Sequence, residues 1–149
     1  MSVTDVFNFE EFCKANPARP VDGYDYVHAI CKSVGLPGDF LIWYAKLVCP
    51  DIMKIDGMVF ISDLYDEKKY KSLISEGETK EHAQVWMNLL EITGLFDYIS
   101  DAQVLLLAEK IAEGWTAKIR QVFGENCEGA RVIANENTGE VFVVVGQSS

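Results

Sequence analysis

Residues 101–123 read DAQVLLLAEKIAEGWTAKIRQVF, and this stretch predicts the strongest helix of the chain. Ser100 and Gln103 have the spacing of a capping box, and Gly124 follows the last helical residue. An apolar stripe at helical spacing is formed by Val104, Ala108, Ile111, Trp115, Ile119 and Val122. The side predicted to point away from it carries Glu109, Glu113 and Arg120. Gly114 costs about 1 kcal/mol relative to alanine within a helix. We therefore expect a neighbouring element to approach the helix closely at Gly114.

Two pairs of short apolar segments on either side of this helix predict β-hairpins. The four predicted strands are Ile52–Ile55, Met58–Ile61, Ala130–Asn135 and Glu140–Gly146. The dipeptide Asp56-Gly57 suits the positive φ angles of a type I′ turn. Residues 141–145 are apolar on both faces, so this strand is expected to lie inside a sheet or to be covered. Together, the two hairpins can form one four-stranded antiparallel sheet.

Five further helical segments are predicted from apolar periodicity, capping residues and helix-ending glycine or proline. They are Asp5–Lys14, Gly23–Val34, Asp39–Cys49, Asp66–Ser75 and Lys80–Thr93. Asp22 and Thr79 are the expected N-caps of the second and the fifth. Asp39–Cys49 is apolar nearly all round, so it is expected to be the buried central helix. The predicted fold is α+β: one mostly helical globular domain over residues 1–149, with five to six helices, two β-hairpins and a small antiparallel sheet.

The composition is that of a folded but strongly acidic chain. Of 149 residues, 49% are hydrophobic, and 23 Asp and Glu against 13 Lys and Arg give a net charge of −10. The excess acid is expected on the surface, where it biases which partners approach. Because nucleic-acid affinity comes largely from Lys and Arg that neutralise phosphates, direct binding of DNA or RNA is not expected.

No signal for a membrane, for export or for a metal is found. The longest apolar run, Phe40–Val48, is too short to cross a bilayer and contains Lys46. The acidic stretch Met1–Phe12 is unlike a signal peptide, so a cytoplasmic location is expected. The cysteines (Cys13, Cys31, Cys49 and Cys127) form no C-x-x-C pair, which favours reduced thiols. We expect neither a metal nor a cofactor.

His82 is the histidine with the stronger claim to acid–base chemistry. It shares a helical stripe with Trp86, and Glu78 lies one turn before it. His28 is expected on the surface. No nucleophile elbow, zinc-protease, phosphate-loop, dinucleotide or calcium-loop motif accompanies either histidine. A catalytic role for His82 with Glu78 therefore stays an alternative to a helix-start histidine that bonds the backbone.

Acidic residues concentrate around the first hairpin and the loop after it. They are Asp51, Asp56, Asp63, Asp66 and Glu67. The simplest interpretation of these carboxylates is a solvated surface, the functional one is a surface that attracts a basic protein, and a glycosidase-like pair is a further alternative.

The hypothesis favoured by the sequence is a soluble, non-catalytic binding or regulatory protein that docks a basic protein partner. Small acidic inhibitors of nucleases, such as toxin-neutralising immunity proteins, share this charge and size, which is a likeness of composition alone. Two alternatives stay open. One is a small enzyme that uses His82 with a nearby carboxylate, and the other is a structural homo-oligomer that buries an apolar face between subunits. The pattern of residues indicates neither the partner nor the oligomeric state.

Overall fold

Seven helices and five short strands follow one another along residues 8–146, the residues that this computed structural model describes. They are α1 (Phe9–Ala15), α2 (Gly23–Val34), α3 (Gly38–Val48), β1 (Ile52–Ile55), β2 (Met58–Ile61), α4 (Glu67–Ser75), α5 (Lys80–Met87), β3 (Leu90–Glu91), α6 (Ile92–Leu95), α7 (Asp101–Phe123), β4 (Ala130–Ala134) and β5 (Val141–Val145). The predicted α+β class with a majority of helix is confirmed.

Side-chain caps begin three of the helices, α2, α5 and α7, at the residues that the sequence predicts. Asp22 and Ser100 each form a complete capping box, at the starts of α2 and α7. The side chains of Asp66 and Thr79 accept the backbone N–H groups of Lys69 and His82, in the first turns of α4 and α5. The first predicted helix, Asp5–Lys14, begins at Phe9, and its residues 5–7 lie outside the described residues.

Two compact units divide the chain, at residues 1–43 and 44–149. In the first unit, the ring of Tyr26 on α2 lies 5.5 Å from those of Phe9 and Phe12 on α1, measured between centroids. Phe12 is buried by this contact, and Asn16 Nδ2 donates to its carbonyl oxygen at 2.8 Å. The second unit contains all five strands and the main core.

Helix α3 is not the buried central helix that its composition predicts. Each of its residues from Phe40 to Tyr44 is at least 39% exposed, and Ile42 reaches 60%. An apolar composition indicates how much surface a helix can bury, whereas its actual burial depends on how other elements pack against it. Within residues 8–146, no helix combines the length and the apolarity required to cross a membrane.

Both predicted hairpins form, but they do not join in one sheet. The first, β1–β2, is a separate two-stranded sheet whose turn has φ of 53° at Asp56 and 81° at Gly57, as a type I′ turn requires. The second hairpin belongs to a three-stranded antiparallel sheet in the order β3-β5-β4. The apolar strand β5 is therefore central in its sheet, as predicted.

The helix predicted over Lys80–Thr93 is wrong at its C-terminal end. Helix α5 ends at Met87, and Leu90–Glu91 pairs with β5 as the short strand β3. The four-residue helix α6 follows at Ile92. The apolar spacing of this segment suits a helix, and tertiary pairing with β5 overrides it.

Helix α7 supplies the largest share of the core. Its buried stripe contains five of the six predicted residues. The prediction that Val122 belongs to it is wrong, because 51% of this residue is exposed. The indole N–H of Trp115 donates to the carbonyl oxygen of Leu47 at 2.8 Å. The expected close approach at Gly114 is confirmed, since a Cβ placed there would overlap the carbonyl oxygen of Val48.

Asn88 is polar and fully buried in this core, and no pattern in the sequence indicates it. Its side-chain oxygen accepts the backbone N–H of Ile61 at 3.0 Å. Its Nδ2 donates to the carbonyl oxygen of Val59 at 2.8 Å and to that of Val145 at 3.4 Å. One amide thus links the edge of β2 to β5. This contact explains why the two hairpins remain in separate sheets: a side chain occupies the edge at which β2 would pair.

Replacement of Asn88 by alanine should lower the free energy of unfolding by about 1–3 kcal/mol, because it leaves the buried N–H of Ile61 without a partner and the carbonyl of Val59 with Gln84 alone. The exposed Asn126→Ala serves as the control and should change it by less than about 0.5 kcal/mol. Urea unfolding followed by far-UV circular dichroism measures both. Equal midpoints for the two variants would contradict the role assigned to Asn88.

Gly114→Ala should destabilise the protein although alanine is the better helix former by about 1 kcal/mol. The added methyl group has to displace the backbone of Val48, so a net loss of about 1–3 kcal/mol is expected. Gly23→Ala is a matched helical control, since a Cβ there meets nothing within 4 Å. Thermal unfolding should show a lower Tm for Gly114→Ala alone, and a raised Tm would refute the close contact.

Candidate functional site

Three aromatic rings connect the first hairpin to α4. Phe60 on β2 is fully buried, and its ring centroid lies 5.0 Å from that of Tyr65 and 5.5 Å from that of Tyr70. The two tyrosine rings lie 5.8 Å apart. Ala83 and Met87 on α5 close the same cluster from the other side. The aromatic contacts fix the position of α4 relative to the hairpin.

A groove of about 400 Å³ lies where the hairpin meets α4, and we call it the tyrosine groove. Its walls include Ile55, Asp56, Tyr65, Glu67, Tyr70 and Ile74. Lys71 and Lys80 also line it. The groove therefore combines aromatic and aliphatic surface with groups of both charges.

Two of the five predicted carboxylates, Asp56 and Glu67, line this groove, a third, Asp66, acts on Tyr65 through its charge, and each has a local partner. Asp56 Oδ2 accepts the hydroxyl of Tyr70 at 2.9 Å. Asp66 caps α4 by accepting the backbone N–H of Lys69 at 3.1 Å. Glu67 pairs with Lys71 one turn along the helix at 2.9 Å. Carboxylates that are distant in sequence are thus brought together by the packing of α4 on the hairpin.

The pKa values of both tyrosines are raised, in part by the charge of these carboxylates. Burial raises the pKa of Tyr70 to about 12, and the hydrogen bond to Asp56 and its negative charge act in the same direction. Burial also raises the pKa of Tyr65, followed by the charge of Glu67, while Lys71 opposes the rise. Asp56 and Asp66 add smaller contributions at Tyr65. A negative potential at the groove is the common cause after burial.

The other two predicted carboxylates form a different group. Asp51 and Asp63 both pair with Lys46, at 3.5 and 3.2 Å. The hydrogen bond to Asp63 is the largest cause of a raised pKa at Lys46. Neither carboxylate is among those whose charge raises the pKa of Tyr65 or Tyr70. The single acidic surface predicted around the hairpin is therefore divided into the tyrosine groove and a pair that shares Lys46.

His82 lies on α5 in contact with both residues that the sequence places beside it. Its Nδ1 contacts the carboxylate of Glu78, and Trp86 Nε1–H donates to its Nε2 at 3.3 Å. Since Nε2 accepts, the proton of the neutral ring belongs on Nδ1, where it donates to Glu78. The side chains of His82 and Glu78 are 46% and 38% exposed, and neither lines the tyrosine groove. The backbone N–H of His82 also donates to the capping hydroxyl of Thr79.

Other candidate ligands are dispersed. His28 is exposed on α2, as predicted. Within residues 8–146, no three His, Cys, Asp or Glu side chains converge as metal ligands. The four cysteines are free thiols, and Cys49 is the exposed one.

Sequence reasoning missed the partnership of Tyr65 and Tyr70 with the carboxylates. The aromatics that follow the hairpin carry no periodic signal that would assign them to a groove. The contact between Asp56 and Tyr70 joins residues 14 positions apart and depends on how α4 docks. An available signal was the type I′ turn itself, which places Asp56 at the tip of the hairpin.

Comparison of the chain with family models, curated proteins and solved structures gives no match.

Tyr70→Phe should lower the free energy of unfolding at pH 7 by about 1 kcal/mol, through loss of the bond to Asp56. The substitution should also change how the free energy of unfolding depends on pH above pH 10. A folded-state pKa near 12, against 10.0 for the ordinary phenol, favours the neutral ring. The raised pKa of Tyr70 therefore contributes to the free energy of unfolding, fully below pH 10 and less and less as the pH rises to 12.

Wild type should therefore lose more stability than Tyr70→Phe between pH 10 and 12. Absorbance titration of the phenolate at high pH should show one late-ionising tyrosine fewer in the variant. Tyr24→Phe, which alters a ring that is 87% exposed, should retain the wild-type curve. Parallel alkaline limbs for wild type and Tyr70→Phe would contradict the assignment.

Proposed function

We propose that this chain is a non-catalytic binding protein that docks a basic protein partner. The observation that carries the proposal is that Asp56 and Glu67 line one groove with two tyrosines, while the charge of Asp66 also acts on Tyr65. A Lys or Arg side chain gains from carboxylates through charge and from a tyrosine face through the cation–π interaction. The net charge of −10 adds a long-range field that draws a cationic partner toward the surface.

The carboxylates keep binding capacity despite their local partners. A carboxylate offers about four lone-pair sites, and Asp56 uses one of its two oxygens for Tyr70. The pair between Glu67 and Lys71 is formed by side chains that are 68% and 73% exposed. Exposed pairs of this kind contribute little stability, so a partner's arginine can replace Lys71 at small cost.

The alternative of a small enzyme rests on the contact between His82 and Glu78. A partly exposed imidazole bonded to a carboxylate is what that hypothesis expects. Against it, Trp86 occupies Nε2, the nitrogen that would have to exchange a proton with a substrate. The pair also lies outside the tyrosine groove. We therefore place binding ahead of catalysis.

The alternative of a homo-oligomer draws on apolar side chains at the surface of the second unit. Leu106 and Val122 on α7 are 56% and 51% exposed. Exposed apolar residues are common on monomers, so this observation alone has little weight. Multi-angle light scattering at dilute concentration distinguishes a monomer from an assembly.

The triple variant Asp56→Asn, Asp66→Asn and Glu67→Gln should weaken binding of the partner on the order of tenfold at low salt. The substitutions preserve the turn and the helix cap while removing three charges. A matched control removes three exposed carboxylates elsewhere: Asp97→Asn, Glu128→Gln and Glu136→Gln. Capture from an extract of the native source, followed by titration of the purified basic protein at two salt concentrations, measures the effect.

Specific loss in the groove triple, with binding retained in the control, is the expected result. If both triple variants weakened binding equally, the effect would come from net charge alone, and this result would refute a site at the tyrosine groove. Capture that involves no basic protein, or that salt leaves unchanged, would refute the proposed function itself.

A further inference from the structure

An open groove of about 830 Å³ lies between α7 and the outer edge of β4, well separated in sequence from the tyrosine groove. Its walls include Glu109, Glu113, Thr116 and Arg120 on the helix and Ala130 and Val132 on the strand. The polar side of α7 that the sequence predicts thus forms one wall, and a strand at the edge of its sheet forms the other.

Hydrogen bonding in the second hairpin shows which backbone groups face this groove. In an antiparallel pair, alternate residues bond to the partner strand, and those between them point away. Asn135 N–H donates to the carbonyl oxygen of Glu140, so Arg131 and Ile133 share that orientation toward β5. Val132 and Ala134 consequently direct their N–H and C=O groups outward, along the edge of the sheet.

Thr116 already bonds to the first outward residue as a neighbouring strand would. Its hydroxyl accepts the N–H of Ala130 at 2.9 Å and lies 3.4 Å from the carbonyl oxygen of the same residue. A Cβ on Gly129 would overlap the Thr116 side chain, so glycine permits this approach. Among the described residues, no equivalent side-chain bond is made to the outward groups of Val132 or Ala134. The edge is satisfied at one end and open beyond it.

The open edge lacks the lysine, proline or bulge that commonly prevents strand addition, and its charged residue, Arg131, bonds to the carbonyl oxygen of Gly146. Natural edge strands are protected by lysine, proline or bulges. Strand β4 has the sequence ARVIA and pairs with β5 without a bulge. An unprotected edge beside a groove has the geometry of strand addition, in which an extended peptide extends the sheet.

The charges of the groove indicate the chemistry of the added strand. Arg120 and Arg131 direct their guanidinium groups to the backbone carbonyls of Cys127 and Gly146. Glu109 forms no ion pair among residues 8–146, and Glu113 has a weak one with the exposed Lys110 at 3.4 Å. The two glutamates are one turn apart, a rise of about 6 Å. Alternate side chains of a strand repeat at about 6.6 Å, which matches that spacing.

We infer that the groove between α7 and β4 binds an extended basic segment of a partner protein as a fourth strand beside β4. Its backbone pairs with Val132 and Ala134, and Lys or Arg at alternate positions faces Glu109 and Glu113. This inference is independent of the proposed function, because it depends on other residues and on backbone pairing.

The test uses the peptide acetyl-Lys-Val-Lys-Val-Lys-Val-amide, with its Glu-Val counterpart as the charge control. Titration followed by backbone NMR should show binding of the basic peptide alone, with slowed amide exchange at Val132 and Ala134. Two analogues carry N-methyl groups on all the Lys or all the Val amides. Because alternate amides point to opposite edges, only one analogue should lose binding.

Val132→Pro removes one outward N–H and spares the bonds to β5, so it should bind the peptide about tenfold more weakly. Val132→Ala, which keeps that N–H, should bind within about twofold of wild type. Binding that ignores both N-methyl analogues would overturn strand addition, even if Val132→Pro failed to fold. If wild type were a dimer and Val132→Pro a monomer, the edge would bind a second copy of this chain, and the inference would be overturned.

Discussion

The buried amide of Asn88 is the contact on which the arrangement of the second unit depends. A two-residue type I′ hairpin directs the backbone groups of Val59 and Ile61 away from β1, toward what would be the next strand. Asn88 bonds to both of them and also donates to the carbonyl of Val145 on β5. The same residue ends α5. Unpaired, these buried groups would each cost about 1–3 kcal/mol, so the amide determines where the helix stops and where β2 ends its pairing.

The position of the candidate site follows from that junction. With β2 fixed against β5, Phe60 points into a cluster that Tyr65 and Tyr70 complete. The docking of α4 on this cluster brings Tyr70 to Asp56 at the tip of the hairpin. The tyrosine groove is thereby formed between a strand hairpin and a helix rather than by loops alone. The acidity of the chain is distributed in sequence, and it is the packing of α4 that gathers part of it at one place.

Local patterns predicted most of the elements, because caps and turns act over a few residues. The capping box at Ser100 and the Asp56-Gly57 turn are of this kind. What failed depended on partners distant in sequence. Residues Leu90–Glu91 leave their helical pattern because β5 supplies a pairing strand. Of the five carboxylates that the sequence groups around the hairpin, Asp56 and Glu67 line the groove and Asp66 acts on Tyr65 through its charge. Asp51 and Asp63 pair instead with Lys46, whose position a linear sequence does not indicate.

The outward backbone N–H and C=O groups of strands β2 and β4 find different partners. At β2, the outward backbone groups are buried, and the side chains of Gln84 and Asn88 bond to the carbonyl of Val59. At β4, Thr116 bonds to Ala130, Val132 is half-buried, and Ile133 and Ala134 are exposed. Burial explains the difference, since a buried group without a partner is costly whereas an exposed one bonds to water. Solvent can be displaced from an exposed edge, so β4 retains the capacity for pairing that the interior contacts remove from β2.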